Sequence, residues 1–466
     1  MTHEDRLARH AAGLQWEAIP GEARDAVSTL LIDTAGVILA GLRSEECRNL
    51  LARHVAWGGA EESSVAGSPL RLPAPSAAFV GGVMAHWWEW DDTHDDSAVH
   101  ASAVIFPTLL AVAEAAGLDE GETAGREFVA AATVAFDIAC QVGATLNPHY
   151  HDGVMATGVP AHIGAAAGAA RLLGLGEDGI MSAMGIAAEQ AGLSRQPLTD
   201  RVNGKNILCG ISAGQAVQSA YSAEAGIKGS ANFLTGKYGL NVLFAEGRAD
   251  LDSGLSGIGT RYSVAETSIK PYPSCRSTHP GLDLTFDMMA EDPELPERVR
   301  AVDVESSQIV FDLCGRPFEP GDDPRVAAQF SIPYTLSVAL TRGRIALKDF
   351  DPNQVVSDQV VLEKTRTVRV NPRTEPVPDE TWWWPHRVRM TLDDGSVREK
   401  EVTALRGSRA RPFVAEEQDD KLQEAGRDAL SPDALRGLAE EARNVDTLGI
   451  RPVVGRMRAA RLPTVH

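Results

Sequence analysis

Residues 161–175 read AHIGAAAGAARLLGL, a stretch with almost no side-chain volume, and Gly164 and Gly168 stand four apart. On a helix that spacing puts both glycines on one face. A helix this slender buries little area alone, so it must lie close against neighbouring helices, backbone near backbone, to reach native packing density. The same texture recurs in EARDAVSTLLIDTAGVILAGL, PTLLAVAEAAGL and REFVAAATVAFDIACQVGA. Each has apolar residues at helical spacing, and the first ends near Gly41. A tight helical bundle over residues 1–268 is the expectation. The rival reading of GLSGIGT as a dinucleotide fingerprint lacks the buried strand that should precede it.

After Lys270 the texture changes. RVRAVDVESSQIVF and KTRTVRVNPR alternate like strands, and HRVRMTLDDGSVREKEVTAL reads as a hairpin with Asp394-Gly395 at its turn. An α+β lid domain is therefore expected over 269–404. The tail, 405–466, turns helical again in SPDALRGLAEEARNV, opens a helix at Ser431-Pro432, and should return to the helical unit. The fold class is mainly α with an α+β insertion. A chain of 466 residues exceeds one ordinary core, which fits two domains. Trp382, Trp383 and Trp384 are read as packing or a subunit contact.

Several partner classes are excluded. A net charge of −20 leaves no basic face for nucleic acid, and an anionic small molecule would need a local group of cations. No apolar run reads as long enough to span a bilayer, since IGAAAGAARLLGL is short and broken by Arg171. The N-terminus MTHEDRLARH lacks a signal-peptide core, and the five cysteines are scattered without a CxxC pair. A cytoplasmic chain without a disulfide framework, structural zinc or iron–sulfur cluster is expected.

Three segments carry chemistry. The first, HWWEWDDTHDDSAVHASAV (86–104), combines three tryptophans, three histidines and the acids Glu89, Asp91, Asp92, Asp95 and Asp96. A solvated loop is disfavoured because the indoles prefer burial. Acids held against indole shift in pKa, so a catalytic wall ranks first and an ion site second. The second, IKPYPSCRSTHPGLD (269–283), brings Lys270, Arg276 and His279 to the domain junction, where clefts form. The third, DRVNGKNILCGISAG, places Lys205 before a small-residue helix.

HWWEWDDTHDDSAVHAS, LTDRVNGKNILCG, KPYPSCRSTHPGLD and AAQFSIPY together resemble the signature segments of the MmgE/PrpD family. Its members include 2-methylcitrate dehydratases, cis-aconitate decarboxylases and iminodisuccinate epimerases. The resemblance implies a large helical domain, a smaller lid-like α+β domain, a homodimer, a carboxylate substrate, and no obligatory metal or cofactor. By motif position it implies catalytic roles for Asp91, Thr93, His100, Lys205, Lys270 and Tyr334. Substrate contacts fall to Lys205, Lys270, Arg276, His279, Glu89 and Met155. Two positions depart from the family pattern. Glu89 stands where members often carry Asp, and GVMAT puts Met155 where a GFHxT segment has histidine; His149 and His151 lie nearby without aligning.

Proton loss beside a carboxylate builds charge on an anion, so fixed cations and donors are required where it develops. Lys205, Lys270 and Arg276 suit substrate carboxylates, His100 suits proton transfer near neutral pH, and Tyr334 suits proton donation. Asp91 or Asp92 suits orientation of His100. A hydro-lyase acting on a di- or tricarboxylate is the first expectation. An epimerase acting beside a carboxylate, a decarboxylase, and a non-catalytic ion binder are the alternatives. Variants of His100 and Lys270 are both expected to stay folded.

Overall fold

The computed structural model describes residues 1–150, 153–373 and 386–462. Trp382–Trp384 and His151 lie outside the described residues. The bundle is built on α1 (Gly21–Gly41), α2 (Ala74–His86), α3 (Ser102–Ala115), α4 (Gly121–Leu146), α5 (Ala161–Leu172) and α6 (Leu208–Glu224). Two intimate pairs, α2 with α6 and α4 with α5, form its centre. Glycine makes both approaches possible. A Cβ on Gly168 would lie 2.8 Å from the Ala131 carbonyl, and one on Gly82 would lie 2.8 Å from that of Cys209.

One expectation is corrected here. The helical stretch Gly121–His149 is long and apolar enough to cross a membrane by length and composition, but 94% of its apolar window is buried inside the protein. It is the central helix of the bundle, apolar all round because neighbours surround it.

The second part contains α7 (His279–Glu291), β1 (Val299–Ser306), α8 (Pro324–Gln329), α9 (Ile332–Arg342), β2 (Val368–Pro372), β3 (Arg387–Leu392) and β4 (Val397–Glu401). The sheet order is β2-β1-β3-β4, with β1 and β2 parallel and the other pairs antiparallel. Val302 and Val304 of β1 and Val388, Met390 and Leu392 of β3 face a small core with Leu282 and Met288 of α7. Gly395, at φ 80°, turns the β3–β4 hairpin as read from Asp394-Gly395. The strand read through RVRAVDVESSQIVF stops at Ser306, because the Ser307 hydroxyl accepts from the Val310 N–H and starts a helical turn.

Two helices of the tail, α10 (Ala415–Gly426) and α11 (Pro432–Arg443), pack on α1. The connection between β1 and β2 belongs to both cores. Leu336 and Leu340 of α9 join the small one, whereas Tyr334 and Val338 join the large one.

Candidate active site

Helix α2 ends at His86, whose carbonyl accepts from the Glu89 N–H at 3.3 Å, and the carbonyls that follow have no helical partners of their own. Buried side chains from distant elements take five of them in succession. The His86 carbonyl accepts from Asn206 Nδ2 at 2.9 Å, Trp87 from Arg325 at 2.5 Å, and Trp88 from Gln329 Nε2 at 2.7 Å. Glu89 accepts from Lys270 Nζ at 2.9 Å and Trp90 from Lys421 Nζ at 2.8 Å. The indoles complete the clamp. Arg325 lies 4.6 Å from the Trp87 ring, Lys421 lies 5.1 Å from Trp90, and Trp88 Nε1 donates to the Ala40 carbonyl. Lys421 also pairs with Asp33 of α1, so the tail helix α10 holds the segment from beneath.

This scaffold fixes a chain of titratable groups. Glu89 adopts φ 53°, a left-handed conformation that costs a non-glycine residue about 1–2 kcal/mol. Its carboxylate pairs with Lys205 and lies 3.5 Å from Lys270 Nζ. His86 Nδ1 is 2.8 Å from Asp91 Oδ2, and its Nε2 is 2.5 Å from Lys205 Nζ. Burial drives the His86 pKa well below the usual value, so the ring is neutral. Its Nδ1–H therefore donates to Asp91, and Nε2 accepts from Lys205.

Burial alone would raise Asp91, but His86, His100 and Lys270 outweigh it and hold this carboxyl well below the ordinary range. The next residue behaves oppositely. Burial and the Asp91 charge push Asp92 up to about 8, making it a neutral acid whose Oδ1 accepts from the Ser102 N–H at 3.0 Å. His100 Nδ1 lies 3.0 Å from the Asp92 carbonyl and 3.2 Å from Asp91 Oδ2. Two acceptors there require the proton on Nδ1. Nε2 has no protein partner among the described residues.

His100 lines a cavity of about 700 Å³ with Glu89, Thr93, Lys205, Arg276 and Met155. The two-residue pairing of Thr93–His94 with Thr267–Ser268 draws the first motif against the second, and Arg276 reaches Asp95 at 3.3 Å. Among the described residues, the hydroxyls of Thr93 and Ser277 are buried at the cavity wall without hydrogen-bond partners. Asp91 stands behind His100 rather than on the wall. Met155, whose backbone N–H donates to Leu193, faces the cavity in place of an imidazole.

Three expected contacts are corrected. Lys270 is fully buried behind Glu89, where its ammonium meets the Glu89 carbonyl and the carboxylates of Glu89 and Asp91. His279 is also fully buried. Burial keeps its ring neutral, so Nε2–H donates to Ser274 and Nδ1 accepts from Arg276, which His279 thus positions. Tyr334 is packed between Phe318 and Phe350 and donates its hydroxyl to the Asp349 carbonyl at 2.5 Å. It does not line the cavity, because the α9 face that carries it belongs to the large core.

Sequence reading weighed His86 only as a candidate ion ligand, and it missed Arg195 and Ser277 on the wall. Lys421, over three hundred residues from Trp90, gave no signal in the sequence.

Among the described residues, two groups, His86–Asp91–Cys209 and His86–Glu89–His100, have donor atoms within 4.8 Å of one another. Both rely on His86, whose two nitrogens already serve Asp91 and Lys205. A cation there would have to displace the Lys205 ammonium from Nε2 or the proton from Nδ1, so these residues fit a resident metal poorly.

Residues 5–251 match the MmgE/PrpD N-terminal domain, and residues 272–447 match the MmgE/PrpD C-terminal domain. The chain is similar to a cis-aconitate decarboxylase of Aspergillus terreus, 25% identical over 412 residues covering 84% of this chain and 82% of that protein. It is also similar to the cis-aconitate decarboxylase of Homo sapiens, 23% identical over 434 residues covering 90% and 86%.

Proposed function

The chain belongs to the MmgE/PrpD family, and on that premise we propose a cofactor-independent hydro-lyase acting on a di- or tricarboxylate. The observation that carries the reading is His100, with Nδ1–H fixed by Asp92 and Asp91 and a bare Nε2 at a cavity wall that also holds cations. Nε2 takes the proton from the carbon beside a substrate carboxylate. Charge developing on that carboxylate is met by Arg276, Lys205 and the unpartnered hydroxyls of Thr93 and Ser277. Asp91 stays ionised and stabilises the imidazolium that forms. As the β-hydroxyl leaves it needs a proton. Lys205 is the nearest donor to Glu89 and His86, and burial together with Lys270 loosens its hold on one.

Met155 favours a second reading, an epimerase, because a thioether cannot transfer a proton where the family pattern has histidine. Decarboxylation of cis-aconitate, named for the relatives above, is the third arm of the test. Purified protein is incubated in heavy water with candidate di- and tricarboxylates. Dehydration gives an unsaturated acid, epimerisation places one deuterium without further mass change, and decarboxylation releases CO₂. His100→Ala is expected to lower kcat by roughly 10²–10⁴-fold in whichever reaction is found, with a smaller effect on binding. Unchanged turnover in that variant overturns the assignment. A cytoplasmic homodimer is the assembly proposed, and a monomer mass by light scattering at micromolar concentration counts against it.

A further inference from the structure

The cavity is more apolar than a small tricarboxylate needs. The cavity's volume of about 700 Å³ lies within the roughly 300–1,000 Å³ of pockets that take up drug-sized ligands. Part of the remaining wall is hydrocarbon, formed by Val154, Leu198, Ile309, Leu313 and Phe330, beside the polar Asn147, Thr157 and Arg195. Ile309 and Leu313 stand four apart in the continuous helical stretch from Gln308 to Gly315, so they share a face. Ile309 is 44% exposed, a large apolar side chain that the described residues leave partly uncovered. Leu198 packs against both hydrophobic cores and joins this wall from the helical side. Polar anchors on one set of residues and an unburied apolar strip on another are the lining of a site for an amphipathic acid.

We propose that the substrate is a di- or tricarboxylate bearing an apolar substituent of several carbons, seated on Ile309, Leu313 and Leu198. This rests on the carboxylate reading above and extends it. Ligand size then selects the substrate. The polar end is common to any polycarboxylate, and the strip adds affinity only for a chain long enough to cover it.

The test is calorimetric titration with propane-1,2,3-tricarboxylate and analogues carrying methyl, butyl or hexyl groups on the central carbon. Kd is expected to fall by about fourfold per methylene over the series. Ile309→Ser, at an exposed position outside the core, and Leu313→Gln are expected to flatten that slope while leaving the Kd of the unsubstituted acid within about twofold. Thermal melts confirm that both variants fold. Firm binding of the unsubstituted acid with no gain on lengthening, or a slope unchanged in both variants, overturns the substituent and leaves the carboxylate reading standing. If no member of the series binds, the carboxylate reading fails and this inference fails with it.

Discussion

Lys270 Nζ has the Glu89 carbonyl at 2.9 Å, a Glu89 carboxylate oxygen at 3.5 Å and an Asp91 oxygen at 3.9 Å, with no exposure to solvent. Sequence reading placed this lysine against the ligand and expected its variants to fold. Its position argues otherwise, because removing one partner from a buried charge cluster leaves the rest uncompensated. Lys270→Met is expected to destabilise the protein by about 3–5 kcal/mol in urea unfolding. Arg195→Ala, at the cavity wall, should stay within about 0.5 kcal/mol of wild type. Equal stability of both variants would contradict this placement.

Asp92 gives a pH dependence with a definite sign. Its folded pKa of about 8 lies above the unfolded value of 3.8, so between those values the native state holds a proton that the unfolded state has released. The associated stability is fully present below the unfolded pKa and is lost as pH rises through about 8. Asp92→Asn keeps an oxygen for the Ser102 N–H and removes the titration. Urea midpoints at pH 5 and pH 8 should therefore move less in the variant than in wild type, and parallel shifts would refute the assignment.

At the scale of elements, helix positions followed from apolar spacing, and the β3–β4 hairpin followed from alternation around Asp394-Gly395. Local period was enough there because apolar residues recur at the period of a helix or of a strand. It was not enough at Ser307, where one hydroxyl ends a strand and begins the helical stretch that carries Ile309 to the cavity. The glycine faces read from residues 161–175 are contact surfaces, and α2 with α6 repeats the arrangement through Gly82. Gly82→Val would press a branched side chain onto the Cys209 carbonyl and the Gly210 Cα. Overpacking of this kind should lower stability by roughly 1–3 kcal/mol. Because α2 ends at His86, turnover should fall as well, and a thermal melt with a single-substrate assay reads both. A variant as stable and active as wild type would mean the two helices can separate freely.

At the scale of the whole molecule, the anionic substrate proposed above would approach a protein with a net charge of −20. Arg195, Lys205 and Arg276 at the cavity supply the local attraction. Screening acts over about 10 Å at 0.1 M salt, so raising NaCl from about 0.05 to 0.5 M should lower kcat/KM for wild type. Arg195→Ala, having lost part of that attraction, should respond less. A rise in kcat/KM with salt would show that the global repulsion outweighs the local cations.

The sequence by itself determined the helical bundle, the α+β texture after Lys270, and the segments that hold the chemistry. These depend on residue type, period and motif spacing, which are properties of neighbours along the chain. The family motifs it resembles pointed to His100, Thr93, Lys205, Glu89 and Met155, and the domain-junction segment pointed to Arg276, all of which reach the cavity. Only the tertiary structure decided depth. Lys270, His279 and Tyr334 come from the same motifs but stand behind the wall, fixing Glu89, Arg276 and α9 respectively. Depth was hidden because it depends on partners contributed from afar. Five carbonyls after α2 are held by residues between 206 and 421, and that arrangement decides which side chains face the cavity and which face the protein.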